Sequence, residues 1–125
     1  MALSEKYRLK KREDIALVYR KGRKVTGQYL ILRILSVPQN KTQIAFIIGR
    51  KAVKKAVLRN RLKRVLSGFW QKKLQDLSGG KKIIVEIKPA HSFISLAEID
   101  KMKNKMKKEM ILLLKKQGIF IKQNK

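Results

Sequence analysis

The stretch that decides the fold is QIAFIIGRKAVKKAVLRNRLKRVLSGFWQKK, residues 43–73, followed by KIIVEIK, residues 82–88. Its opening run, residues 43–48, is mostly apolar and predicts a strand. Residues 82–88 predict a second strand, buried on both faces. Between them a spacing of three and four predicts a helix over about 57–73. Because a strand, a helix and a strand follow in order, the stretch has the makings of a parallel crossover unit. The helix's buried stripe comprises Leu58, Leu62, Val65, Leu66 and Phe69.

On the N-terminal side, residues 12–21 have the pattern of a short helix that ends at Gly22. Its apolar face comprises Ile15, Val18 and Tyr19. Residues 28–37 predict a strand. Because side chains alternate between the faces of a strand, we expect a core face and a more accessible face. The core face comprises Leu30, Leu32 and Ile34, and the accessible face comprises Tyr29, Ile31 and Arg33.

The C-terminal side begins with Ser95-Leu96-Ala97-Glu98, a capping-box pattern that predicts a helix start. The helix runs toward Gly118 with an apolar face of Ile99, Met102, Met106, Met110 and Leu113. We expect the basic tail, about residues 119–125, to be frayed. The order of elements predicts one domain, residues 1–125, folded as an α/β (α+β) two-layer sandwich. The helix comes first, followed by a central mixed sheet and a long C-terminal helix.

The charge of the chain indicates its partner. Lys and Arg number 33 against 8 Asp and Glu, which gives a formal charge of +25. Such self-repulsion in a folded domain favours a polyanion that screens it, so nucleic acid is the predicted partner and an anionic membrane surface the alternative. The absence of cysteine excludes disulfides and thiolate metal sites. Because no signal-peptide core or membrane-spanning run is present, we expect a cytoplasmic protein.

The segment from Arg50 to Arg64 is intensely basic, and no acid occurs from Arg50 to Lys73. On a helix, side chains at i and i+4 share a face, so the cations form a ridge beside the apolar stripe. The planar fork of arginine suits bidentate phosphate contacts. We therefore favour RNA binding over the alternative, a merely solvated helix face. This basic ridge comprises Arg50, Lys51, Lys54, Lys55, Arg59, Asn60, Arg61, Lys63 and Arg64.

The run Arg59-Asn60-Arg61-Leu62-Lys63-Arg64, preceded by Arg50-Lys51 and Ala56, closely resembles the signature of the bacterial ribonuclease P protein family. The likeness extends to residues 8–15, 29–32 and 83–89. The resemblance implies a helix-first sandwich with a left-handed crossover around the signature helix, although about 98% of such crossovers are right-handed. It also implies a protein subunit that binds the catalytic RNA and the 5′ leader of precursor tRNA. That subunit assists endonucleolytic removal of the leader, which gives the mature 5′ end.

In this resemblance the basic ridge faces the catalytic RNA subunit. The single-stranded leader lies in a cleft between the first helix and the open sheet face. The implied leader-binding residues are Ile15, Tyr19, Tyr29, Ile31 and Arg33. Three positions depart from the family pattern. The family usually has Phe where this chain has Ile15, an aromatic residue where it has Arg33, and a small N-capping residue where it has Arg12. Tyr19 remains, and Tyr29 is a candidate to replace the missing aromatics.

No set of protein catalytic groups is recognisable in the sequence. His91 has no partner nearby, and Glu13 and Asp14 are interpreted as complements of the helix dipole. The magnesium of the reaction is therefore expected mainly in the RNA subunit, with none bound by the protein alone. Trp70 is expected to be half-buried. The alternatives are a structural ribosomal protein and a DNA-compacting protein, although we expect neither DNA nor a membrane as partner. Co-purification would separate these classes by the nucleic acid recovered.

Overall fold

The computed structural model describes residues 7–38, 42–49, 53–73, 80–88 and 95–116. These ranges contain the helices α1 (Arg12–Lys21), α2 (Ala56–Lys73) and α3 (Leu96–Lys116), and the strands β1 (Arg23–Thr26), β2 (Leu30–Val37), β3 (Gln43–Ile47) and β4 (Gly80–Ile87). The predicted helices and the mixed α/β class are confirmed. The predicted frayed tail, His91, Arg50 and Lys51 lie outside the described residues.

The sheet has the strand order β1-β2-β4-β3. Strand β2 is antiparallel to both of its neighbours, whereas β3 is parallel to β4, with Gln43 opposite Lys82. Because α2 connects these two parallel strands, the predicted crossover unit is confirmed, and its left hand stays a prediction. The N-terminal segment adds to the outer edge of β3, where the amide of Leu9 donates to the carbonyl of Ile44 at 2.9 Å.

The main hydrophobic core lies between one face of the sheet and the two long helices, α2 and α3. It contains the predicted core face of β2, the apolar stripe of α2 and the buried methionines of α3. The prediction that Trp70 is half-buried is wrong, because its side chain is fully buried. Its indole Nε1 donates to Sδ of Met110 at 3.0 Å, and its ring packs edge-on against Phe69. The sequence pattern of α2 placed Trp70 at the margin of the stripe, and the packing of α3 against α2 buries it.

A smaller cluster lies on the opposite face of the sheet, under α1. It is formed by Leu9, Val18 and Ile84, with Ile15 and Leu35 packed against it. Helix α1 starts without a side-chain cap at Lys11. It ends where the amide of Gly22 donates to the carbonyl oxygen of Val18 at 2.8 Å. A Cβ on Gly22 would lie 2.5 Å from that oxygen, so close approach requires glycine here.

Strand β1 and the turn that follows it are anchored by α3. The Glu109 carboxylate accepts hydrogen bonds from the amides of Gln28, Tyr29 and Leu30 at 2.7–3.2 Å. A Cβ on Gly27 would collide with the same carboxylate. The short, mostly polar strand β1 carries too little hydrophobic alternation to be predicted, and it forms because β2 and this turn hold it in place.

Tyr29 differs from its predicted position. It is only 8% exposed and packs in the main core, so it does not share the accessible face with Arg33. The physical reason is that β2 begins at Leu30 and Tyr29 belongs to the turn held by Glu109, where the alternation of a strand does not apply. The prediction that Tyr29 lies on the accessible face is therefore wrong, and its ring packs in the main core away from Arg33.

Candidate RNA-binding surfaces

The basic ridge is solvent-facing along α2 and the loop before it. Lys54, Lys55, Asn60, Lys63 and Arg64 are exposed. Their neighbours Leu58, Leu62 and Leu66 are buried in the main core, so the amphipathic pattern turns the cations outward. The first turn of α2 contains no acidic residue, which leaves the positive charge locally uncompensated.

Arg59 has a different environment from the exposed cations of the ridge. Its Nη1 donates to the carbonyl of Val53 at 3.0 Å and to that of Lys54 at 2.7 Å. The guanidinium therefore ties the loop before α2 to the helix. We conclude that Arg59 stabilises the backbone of the ridge, since one of its terminal amino groups already donates to two backbone carbonyls.

Arg61 is linked to the N-terminal part of α3. Its Nη2 and Nε donate to Oδ1 of Asp100 at 2.8 and 3.3 Å. Both side chains are nearly half exposed, so the pair is worth at most about 1 kcal/mol of stability. Arg61 therefore lies at the boundary between α2 and α3, and Asp100 neutralises part of its charge.

Lys63 faces the other side of α2. It lines a groove of about 450 Å³ together with Ser67, the segment around Arg8 and Lys10, and β3. The apolar lining of this groove includes Ile15 and Ile47. The ridge therefore has two flanks, one toward α3 and one toward the N-terminal segment.

The second surface is the α1 cleft, defined here by Ile15, Tyr19, Ile31, Arg33 and Glu86. Its centre is Arg33, whose guanidinium carbon lies 4.5 Å from the ring centroid of Tyr19. Nε of Arg33 donates to Oε2 of Glu86 at 2.6 Å. This chain therefore places a planar cation over the ring of Tyr19.

Tyr19 is 38% exposed, and its environment favours the neutral phenol. Burial raises the pKa of Tyr19 above its ordinary value, and the nearby Glu86 carboxylate raises it further, whereas the Arg33 guanidinium lowers it. Glu86 was not among the predicted site residues, although it lies in the β4 run that the sequence analysis quoted. Register was the missing information, because the β2–β4 pairing sets Ile31 opposite Glu86 and Arg33 opposite Ile84.

The other predicted cleft residues, Ile15 and Ile31, lie in different surroundings. Ile15 packs against the small cluster under α1. The prediction that Ile31 is accessible is wrong, because it is 8% exposed in a central strand, although the β2–β4 register keeps it opposite Glu86. At the other end of α1, Nζ of Lys82 donates to Oδ1 of Asp14 at 2.9 Å. This ion pair holds α1 to β4, so Asp14 has a structural partner in addition to its place near the helix start.

Among the described residues, no group of three or more His, Cys, Asp or Glu side chains lies close enough together to hold a metal ion. None of the helices in those ranges combines the length and the apolar character that crossing a bilayer requires.

Comparisons with known proteins agree with this architecture. The family model for ribonuclease P matches residues 3–111. A ribonuclease P protein component from Pseudanabaena sp. is 37% identical over 112 residues, covering 88% of this chain and 97% of that protein. The homologous component from Acidothermus cellulolyticus is 33% identical and covers 78% and 82%. The structure of the RNase P protein from Thermotoga maritima has a TM-score of 0.71 at 22% identity, covering 87% of this chain and 96% of that one. This chain belongs to the ribonuclease P protein family.

Proposed function

We infer that this chain acts as the protein subunit of ribonuclease P, and we propose that its two surfaces divide the work of binding RNA. The basic ridge grips the catalytic RNA subunit, and the α1 cleft receives the single-stranded 5′ leader of precursor tRNA. The complex removes the leader endonucleolytically in the cytoplasm. The observation that carries the proposal is the exposed cationic face of α2 in a chain that matches the family model over residues 3–111.

The ridge supports the first half of the proposal by its charge and rigidity. Phosphate binding by Lys and Arg releases counterions, and it depends on the number of cations rather than on base sequence. Lys54, Lys55, Lys63 and Arg64 are exposed along one helix and its leading loop. Because Arg59 ties that loop to α2, these cations are held in a fixed spacing before RNA arrives.

The cleft supports the second half by its mixed chemistry. A splayed base can stack on an aromatic ring or on a guanidinium plane, and Tyr19 and Arg33 offer both in one stack. Glu86 compensates the charge of Arg33, so the cleft attracts phosphates less strongly than the ridge does. A surface of this kind suits recognition of unpaired bases.

In this proposal the hydrolysis occurs in the RNA subunit. The reaction needs magnesium to activate water and to stabilise the leaving oxygen. RNA phosphates are the proposed ligands of this magnesium. The chain contributes positioning: it lowers the repulsion between the two RNAs and holds the leader.

Reconstitution tests the proposal. Precursor tRNA is incubated at low magnesium with the chain alone, with the cognate RNA subunit alone and with both. We expect cleavage at the mature 5′ end only, or at least about tenfold faster, when both are present, because cations of the protein replace part of the magnesium in screening phosphates. Cleavage by the chain alone after nuclease controls, or no gain on adding it to the RNA, would contradict the proposal.

The alternative of a structural ribosomal protein is tested by co-purification from cells. Recovery of one discrete RNA that processes precursor tRNA supports the proposed subunit. Recovery of ribosomal subunits supports the alternative. No described feature favours the ribosomal alternative over the family match.

A further inference from the structure

A groove runs between α2 and α3 at the flank of the basic ridge. Its volume is about 440 Å³, within the range of about 300–1,000 Å³ that holds small organic groups. It is distinct from the α1 cleft, which lies on the opposite face of the sheet. The residues that line the groove are Val57, Asn60, Arg61, Arg64, Leu96 and Asp100.

Two exposed apolar side chains meet in this groove. Val57 is 59% exposed and Leu96 is 46% exposed, and they come from different helices. Exposed large hydrophobic side chains number four in the described part of the chain, the others being Leu112 at 53% and Tyr19 at 38%. One exposed apolar residue is ordinary, but two that line the same groove between cations mark a contact surface.

The polar wall of the groove is fixed in place. Asp100 receives two hydrogen bonds from Arg61, which orients the guanidinium plane and offsets its charge. Arg64 remains exposed as the cation of the groove, and the Asn60 amide offers a donor and an acceptor beside it. The groove thus combines two apolar side chains, a cation paired with Asp100, a second exposed cation and one directional polar group.

We propose that this groove seats one unpaired nucleotide of the RNA subunit, with its base against Val57 and Leu96 and its phosphate on Arg64. The proposal rests on the proposed function, because the ridge must face RNA for the groove to be filled. An apolar floor gains nothing from a duplex, whose base faces are already stacked on one another. An unpaired base offers a free face to Val57 and Leu96 and an edge to Asn60, and the net charge of +25 favours a nucleotide over a cationic or neutral occupant.

Site-specific crosslinking tests the occupant. The chain has no cysteine, so Leu96→Cys creates a single attachment point for maleimidobenzophenone. The matched control is Leu112→Cys, which is also exposed on α3 but does not line the groove. The labelled chains are assembled with the full-length cognate RNA subunit, irradiated, and mapped by reverse transcription. We expect one dominant crosslink to an unpaired nucleotide from Leu96→Cys, repeated by Val57→Cys and missing from Leu112→Cys.

Three results are separated by this design. If the unmodified chain does not assemble with the RNA, the proposed function fails. If it assembles but Leu96→Cys crosslinks only to paired nucleotides, to precursor tRNA or in the pattern of the control, the groove proposal is overturned while the function stands. A crosslink to a peptide or protein partner in extracts, with none to RNA, would also overturn it.

Binding measurements give an independent readout. Val57→Ser and Leu96→Ser should each weaken binding of the RNA subunit by about fivefold, through loss of buried apolar contact. The slope of log affinity against log salt should stay unchanged, because no charge is removed. Leu112→Ser should have no effect. Equal losses from Leu112→Ser, or a flattened slope in the groove variants, would contradict seating of a base on the apolar floor.

Discussion

The basic ridge and the α1 cleft differ in how the chain assembles them. The exposed cations of the ridge come from one continuous stretch, so their neighbourhood along α2 and the loop before it follows from the sequence alone. The central side chains of the cleft come from α1, β2 and β4, and they meet only when the sheet is paired in its observed register. A surface built from one segment follows from sequence, whereas a surface built from three depends on tertiary structure.

The two surfaces also differ in electrostatics. The ridge has a charge excess, and Asp100 offsets part of it at Arg61. In the cleft, the charge of Arg33 is met by Glu86 at 2.6 Å. The ridge should therefore bind phosphates with strong salt dependence, and the cleft should discriminate between RNAs that do or do not offer unpaired bases.

The largest expected effect on RNA binding comes from removing two cations of the ridge. The double variant Lys63→Gln/Arg64→Gln should weaken binding of the RNA subunit by about a hundredfold and flatten the salt slope by about 1.4–1.8, because each cation neutralises one phosphate. Filter binding across a salt series measures both quantities. Arg59→Gln should change the slope less, since its guanidinium is engaged by loop carbonyls. Lys116→Gln, at the exposed end of α3, is the control, and an equal slope change there would indicate diffuse attraction only.

The next effect concerns the anchor of the sheet beside the cleft. Glu109→Ala leaves three turn amides without their carboxylate and should lower the free energy of unfolding by about 2 kcal/mol. Urea unfolding measures the change, with the exposed Glu13→Ala as control. The salt slope of the ridge should survive at a temperature where the variant is folded. A stability equal to that of the control would show that the carboxylate contributes nothing to the turn.

Tyr19→Ala should weaken precursor tRNA binding to the assembled complex by about tenfold, because one stacked base loses its aromatic partner. Mature tRNA, which has no leader, should bind as before. Ridge variants should instead weaken both substrates together. Fluorescence titration with both tRNAs checks the difference, and a melting curve confirms folding. An equal loss of affinity for mature tRNA would contradict the proposal that the leader binds in the cleft.

A smaller effect comes from restoring the family's aromatic at position 33. Arg33→Phe alone should weaken leader binding by about threefold, because Glu86 is left as an unpaired carboxylate facing RNA. Adding Glu86→Gln should reverse this and make binding about threefold tighter than in the unmodified chain, since a second ring can stack. The four proteins form a double-mutant cycle. Additive effects would show that Arg33 and Glu86 do not act as a pair.

The smallest effect is a titration. The raised pKa of Tyr19 means that the folded protein holds its phenolic proton more tightly than the unfolded chain does. Its stabilising contribution is therefore complete below pH 10 and is lost as pH rises through the folded-state pKa. Unfolding of the unmodified chain and of Tyr19→Phe, compared from pH 9 upward, should diverge in that window. Parallel curves would contradict the shift.

The sequence by itself determined the helices and the ridge. α1 was predicted at its observed bounds, and α2 began within one residue of its predicted start. Ser95 caps α3 as its sequence pattern predicts, with the Glu98 amide donating to Oγ of Ser95 at 3.1 Å. These features depend on neighbours within one or two helical turns, where the sequence spacing alone fixes which side chains are in contact. The motif of α2 also sufficed for the resemblance that the family model bears out.

Tertiary structure decided the pairings between segments. Arg33 stacks on Tyr19 and bonds to Glu86, Arg61 bonds to Asp100, and Glu109 holds the turn that removes Tyr29 from the cleft. Each pairing joins residues 14 to 81 positions apart, from Tyr19–Arg33 to Gln28–Glu109. Such contacts depend on strand register and helix docking, which follow from packing the whole core and not from any local pattern. The charge of this protein can therefore be read from its sequence, whereas the contacts that build the α1 cleft are decided by the fold.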